Sequence, residues 1–131
     1  FISCIWTYGI NRLRTLKEKV LRRFIPYVQM HEFEALLFSD PAAFAKGIES
    51  PDKAKDFHKI RSLFETPEDI NDGAETAPSK RILKLVPAYE KPIQGSLGAI
   101  EVGLTAMRQT CVLFDAWLKQ LEALPEGRTA N

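Results

Sequence analysis

Gln29-Met30-His31-Glu32-Phe33-Glu34-Ala35-Leu36-Leu37-Phe38-Ser39-Asp40 is the stretch on which the fold turns. Just before it, Phe24-Ile25-Pro26-Tyr27-Val28-Gln29 is short, β-branched and aromatic. Pro26 cannot donate a ladder hydrogen bond, so the segment predicts the start or edge of a strand. Then the period changes. Phe33, Leu36 and Leu37 fall at i, i+3 and i+4, which is helical spacing. The sequence therefore predicts a strand-to-helix crossing with acids at the switch.

Downstream, capping residues precede prolines at Asp40-Pro41, Ser50-Pro51 and Thr66-Pro67, three predicted helix starts. Gly47 suits the end of the first of these helices. Phe57, Ile60, Leu63 and Phe64 give the second an apolar face. Residues 65 to 76 hold five acids and no base, and Asn71-Asp72-Gly73 signals a turn. Pro78 opens a short helix that Pro87 ends, and Tyr89 to Gly98 reads as loop. In the last predicted helix, residues 98 to 124, Ile100, Leu104, Met107, Cys111, Phe114, Leu118 and Leu121 form one apolar stripe. That stripe reads as packed core rather than a coiled-coil seam, because consistent flanking charge pairs are missing.

Upstream, Phe1-Ile2-Ser3-Cys4-Ile5-Trp6 predicts a strand that begins mid-fold, which suggests an amino-terminally incomplete domain. Residues 12 to 23 carry six bases against Glu18, with Ile10, Leu13, Leu16, Val20 and Phe24 near helical spacing. This is a basic amphipathic helix, either a solvated charged face or a phosphate-contacting one. The expected organisation is one domain over residues 1 to 124 and a frayed tail over 125 to 131.

Composition narrows the classes. The 131 residues suffice for one small core, and 45% apolar with 27% charged residues is globular rather than disordered. A net charge of +1 excludes a uniformly basic nucleic-acid binder and an acidic solvating tail. No apolar run reaches the ~18 residues of a membrane helix, so no membrane partner is expected. Two cysteines make neither a disulfide framework nor a four-thiolate zinc site. The expected location is cytoplasmic.

The densest candidate chemistry is His31, Glu32 and Glu34. On a helix His31 and Glu34 share a face while Glu32 points elsewhere. Carboxylates at the end of a strand lie where open α/β sheets place ligands, and hard cations such as Mg²⁺ prefer carboxylate oxygens. The competing reading is structural: acids in a first helical turn suit the macrodipole without a metal. The zinc-protease pattern is excluded, because Ala35 stands where a second histidine is needed. Ser79, Lys80 and Arg81 open a predicted helix and could bind a phosphate, or could be a capped end with exposed bases.

Two blocks carry a resemblance. One runs from Arg23 to Asp40 through His31-Glu32-Phe33-Glu34-Ala35-Leu36-Leu37-Phe38. The other runs through Pro67-Glu68-Asp69-Ile70-Asn71 and Thr76-Ala77-Pro78-Ser79-Lys80-Arg81-Ile82 to Cys111–Leu118. Together they resemble the bacterial and archaeal DUF4276 family over residues 23 to 124. That family is similar to Toprim-like proteins that accompany AAA- or ABC-type ATPases in phage-defence loci.

The resemblance implies an α/β fold with a compact parallel sheet and Mg²⁺-dependent action on phosphodiesters. It raises Glu32 and Glu34 to candidate catalytic and metal-holding acids. It raises His31, Ser79, Lys80 and Arg81 to candidate phosphate or nucleic-acid contacts. The chain departs from the family pattern: an E-G-x-T-E type acidic stretch is absent, Trp6 stands where an acid is expected before Tyr8-Gly9, and Val112-Leu113 replace a histidine. Glu32 and Glu34 thus lack a usual carboxylate partner, and the chain alone is expected to be inactive.

The expectation is a helix-rich α/β domain, one or two strands packed by four to six helices, forming part of a Toprim-like fold. The expected function is the carboxyl-terminal part of a Mg²⁺-dependent nucleic-acid hydrolase. The alternative is a non-catalytic module that docks an ATPase or a second copy of itself as a homo-oligomer.

Overall fold

In the computed structural model the described residues are 24–29, 31–70 and 73–125. They form six α-helices: α1 Glu34–Leu37, α2 Pro41–Gly47, α3 Ala54–Arg61, α4 Pro78–Leu85, α5 Lys91–Thr110 and α6 Val112–Glu122. Single 3-10 turns lie at Pro51–Lys53 and Pro67–Asp69. The predicted strand over 1–6 and basic helix over 12–23 lie outside the described residues, as do Asn71, Asp72 and residues 126–131.

The helix-rich half of the fold expectation is met, and the α/β half is not: among the described residues there is no strand. Residues 24–29 carry the strand's side-chain alternation, with Ile25, Tyr27 and Gln29 half-buried and Phe24, Pro26 and Val28 exposed. What holds them among the described residues is aromatic. Tyr27 stacks on Trp117 with centroids 4.9 Å apart. The Trp117 indole N–H donates to the Ile25 carbonyl at 3.1 Å.

The core is built from the segment quoted first. Ala35, Leu37 and Phe38 are wholly buried. The Phe38 ring lies 5.8 Å from both Phe44 and Phe57, and Phe44 lies 5.0 Å from Phe57. A fully buried phenylalanine contributes about 1.5–3 kcal/mol, and a net hydrogen bond only ~0.5–1.5. The three rings, rather than polar contacts, therefore fix α1, α2 and α3 on one another.

Helix α2 begins as its sequence predicts. The Asp40 carboxylate accepts the Ala42 and Ala43 amides at 3.1 and 3.0 Å, and Pro41 needs no donor. The Thr66-Pro67 start yields only a 3-10 turn, closed by Asp69, which accepts the Thr66 amide at 2.9 Å. Ser50-Pro51 likewise opens a 3-10 turn, and the Ser50 hydroxyl turns back toward the Ile48 carbonyl at 3.4 Å.

Helix α2 ends at Gly47, as the sequence predicts, but the glycine is not the left-handed cap. The left-handed residue is Glu49, at φ 57°. Around it the Glu49 amide bonds the Lys46 carbonyl at 3.0 Å and the Ser50 amide bonds the Ala45 carbonyl at 2.8 Å, a Schellman closure. Gly47 instead permits close approach. A Cβ there would sit 2.8 Å from the Gly98 Cα, and one on Gly98 would sit 2.7 Å from the Phe44 ring. Helices α2 and α5 thus cross glycine against glycine, with Lys46 and Glu101 ion-paired across the crossing.

The carboxyl-terminal helix differs most from expectation. It starts at Lys91, not near residue 98, with Pro92 in its first turn in place of the predicted loop. Gly103 departs from helical geometry at φ 76°, ψ 153°, a region open essentially to glycine alone. Cys111, extended at φ −108°, ψ 92°, ends α5 and precedes α6. These two breaks rotate the helical phase. The predicted stripe is therefore not one buried face: Met107 and Cys111 are buried, but Ile100 is 77% exposed and Leu104 53%. Gly95, Gly98 and Val102 are buried in their place. Arg108 joins α5 to α6, donating to Asp115 at 2.6 Å and to Glu122 at 3.0 Å. No helix among the described residues is long and apolar enough to cross a membrane.

Candidate functional site

Glu32 immediately precedes the turn that becomes α1. Its carbonyl accepts the Ala35 amide at 3.0 Å, and the side chain is left outside that turn. The carboxylate meets the start of α4: Oε2 accepts the Ser79 amide at 2.7 Å and Oε1 the Ser79 hydroxyl at 2.8 Å. Helix α4 needs this. Its own N-cap position is Ala77, which has no side-chain oxygen, and Pro78 has no amide. Partial burial pushes the Glu32 carboxyl up. The two Ser79 bonds and the nearby Lys91 and Lys80 charges outweigh that and hold it below the usual carboxylate range.

Glu34 sits two residues on, in the first turn of α1, and is wholly buried. Its Oε2 lies 2.9 Å from the Lys91 ammonium, an ion pair by distance. No hydrogen bond of good geometry reaches either Glu34 oxygen. Lys91 is the first residue of α5, and its side chain is 54% exposed, so the ammonium enters from the surface. Tyr89 completes the cluster. Its hydroxyl is buried without a hydrogen-bond partner and would lie 3.0 Å from a Cβ on Gly95. Burial, then the charges of Glu34 and Glu32, push its phenol well above the ordinary value. Glu32 thus turns to the start of α4 while Glu34 turns to Lys91.

The other candidates divide. His31 is half-buried just before Glu32. Ser79 gives both its donors to Glu32, and Lys80 is exposed beside it. Arg81 turns elsewhere: its Nε donates to the Thr76 carbonyl at 2.7 Å and its guanidinium lies 5.3 Å from the Phe64 ring centre. Among the described residues no group of three or more His, Cys, Asp or Glu side chains could hold a metal ion.

Sequence reasoning missed Tyr89 and Lys91. Lys91 precedes Pro92, and that pair was the available signal for a helix start. It also missed Glu68, a second buried acid that serves a helix end. Glu68 accepts the Leu113 and Phe114 amides, each at 2.9 Å, at the start of α6, whose N-cap position is Cys111. Burial, with the Glu68 and Cys111 charges, pushes the neighbouring Tyr27 phenol up to about 12.

The described fold is thus a helical domain in which Glu32 is bound to a helix start and the buried Glu34 is paired with a lysine. The chain belongs to the DUF4276 family, whose model, described as a domain of unknown function, matches residues 11–122. No curated protein and no solved structure matches it.

Proposed function

We propose that Glu32 and Glu34 are the cation-holding acids of a Mg²⁺-dependent phosphodiester hydrolase acting on nucleic acid, in keeping with the Toprim-like resemblance. The observation that supports this reading is a wholly buried Glu34 carboxylate, two residues from Glu32, with no hydrogen-bond donor of good geometry on either oxygen, together with the partnerless buried hydroxyl of Tyr89. A buried oxygen without a partner is costly, by ~1–3 kcal/mol, and marks a place where a further group belongs. The donors suit a hard cation, since Mg²⁺ is bound through one or two carboxylates and keeps several waters. When bound, Mg²⁺ supplies a Lewis acid for a phosphoryl oxygen and an activated water.

The chain's own residues do the positioning. Ser79 fixes the Glu32 carboxylate in its ionised form. The exposed Lys80 stands beside it as a point charge for a phosphate. Further carboxylates would come from outside the described residues or from a partner such as an AAA- or ABC-type ATPase.

The test is Mn²⁺ binding and Mn²⁺- or Mg²⁺-dependent cleavage of plasmid and single-stranded DNA by the chain, Glu32→Gln and Glu34→Gln. Circular dichroism confirms that each variant folds. Binding that weakens in both variants supports the reading. Equal binding in all three, or none at millimolar Mn²⁺, defeats it.

A second reading has its own observation. Ile93, Leu97 and Ile100 are exposed at helical spacing on the first half of α5. The one charge within that stretch up to Gly103, Glu101, is already paired with Lys46. An apolar, charge-free helix face suits self-association. Concentration-dependent mass by light scattering, abolished by Ile100→Lys, supports a homo-oligomer; a constant monomer mass removes it.

A further inference from the structure

The uncovered face of α5 is ordered in a way that narrows what can cover it. Ile93, Leu97, Ile100 and Leu104 are 46% to 77% exposed, while Gly95, Gly98 and Val102 of the same helix are buried in the core. The four exposed residues are spaced by 4, 3 and 4, the interval of a helical seam. Gly103 interrupts the helix, yet Leu104 beyond it is still on the outside. Large apolar side chains gathered in a row on the surface mark a contact surface, because water is an unfavourable neighbour for all of them.

A spacing of 4, 3 and 4 reads the same in both directions, and a two-fold contact requires a patch that is complementary to itself. We infer that the α5 face is the seam of an antiparallel two-fold dimer of this chain. The axis passes between Gly98 and Ala99, which sets Ile93 on the partner's Leu104 and Leu97 on the partner's Ile100. This rests on the self-association reading above, and goes further by fixing the orientation, the register and the number of copies. The charges agree with it. In this register Lys91 faces the partner's Ala106 and Glu101 faces the partner's Ser96, so no like charges meet. Glu101 is already paired with Lys46 within its own chain. A parallel, in-register pairing would instead set Lys91 on Lys91 and Glu101 on Glu101. Antiparallel helices also bring each positive amino-terminal end beside the partner's negative carboxyl-terminal end. Because both copies use the same face, the assembly closes at two.

Site-directed cross-linking tests it. Ile93→Cys and Leu104→Cys chains are treated with a short bis-maleimide, each alone and mixed in equal amounts. Both positions are exposed, so neither change disturbs the core. Peptide mass spectrometry identifies which cysteines are joined, so Cys4 and Cys111 stay in place. In the antiparallel dimer residue 93 lies ~16 Å along the helix from residue 93 of the other copy, eleven residues at 1.5 Å each. The expected result is a dimer joined from residue 93 to residue 104, several-fold more abundant in the mixture than any dimer in either chain alone, and lost when both chains also carry Ile100→Lys. Joining of residue 93 to residue 93 in the Ile93→Cys chain alone overturns the antiparallel register and leaves self-association standing. Equal yields in the mixture and in the separate chains are chance collisions and overturn the register in the same way. A constant monomer mass of the unaltered chain by light scattering, with no cross-link in any sample, overturns both and leaves the face to a different partner.

Discussion

Glu68 reaches across the fold to Leu113 and accepts its backbone N–H at 2.9 Å, an N-cap delivered from 45 residues earlier in the chain. Phe114 is held by the other oxygen of the same carboxylate. A helix start exposes amides that have no intrahelical partner, and a carboxylate there also meets the positive end of the dipole. Glu68→Ala is expected to cost about 2 kcal/mol, since it removes two bonds and leaves buried donors. A urea titration measures it, and a midpoint within error of the unaltered chain would show that the cap is dispensable.

Glu49 offers a change in the opposite direction. It occupies the left-handed position of a Schellman closure, where a Cβ costs ~1 kcal/mol. Glu49→Gly should stabilise the chain by about 0.5 kcal/mol, because the relief exceeds the entropy that glycine adds to the unfolded chain. The same titration reads it as a raised midpoint at constant slope.

Gly98 and Gly103 should both resist alanine, for different reasons. At Gly98 the new Cβ would lie 2.7 Å from the Phe44 ring, a clash of packing worth about 1–3 kcal/mol. At Gly103 nothing lies within 4 Å, and the penalty comes from the backbone, about 1–2 kcal/mol. A double-mutant cycle separates them: Phe44→Leu should offset part of the Gly98→Ala loss and none of the Gly103→Ala loss. Additivity at both positions would contradict the packing argument.

The acid limb of stability should report Glu32. Its folded-state carboxyl titrates below the ordinary value of 4.5, so the unfolded chain takes up the proton first. The stabilisation is fully present above 4.5 and is lost as pH falls through the lowered folded value. Comparing the chain with Glu32→Gln by urea titration from pH 7 to pH 3, the gap between them should narrow as the solution becomes acid. A gap that stays constant would mean that Glu32 titrates normally.

Much of the helical layout was legible because its signals are local. Asp40-Pro41 and Pro78 announce their helices within one turn, and Phe33, Leu36 and Leu37 announce theirs by spacing. The carboxyl-terminal stripe misled because spacing assumes unbroken helical phase, and Gly103 and Cys111 break it. The seat of Glu32 on α4 and of Glu68 on α6 could not be read, since a cap supplied from another element has no fixed sequence interval. Glu32 and Glu34 stood out as acids in an apolar run, but Tyr89 and Lys91 become their neighbours only when α5 packs beside α1. The predicted strand has the right alternation over 24–29, yet alternation does not supply a ladder partner.

Helices α4 and α6 are both finished by carboxylates from outside themselves, and this changes what their first turns report. First-turn amides ordinarily fray and exchange their hydrogens quickly with solvent. Those of Ser79, Leu113 and Phe114 are held by Glu32 and Glu68, so they can be released only when separate parts of the chain come apart. Their exchange would follow the opening of the tertiary fold rather than the breathing of a helix end, and the two helices gain cooperativity that neither has as an isolated peptide.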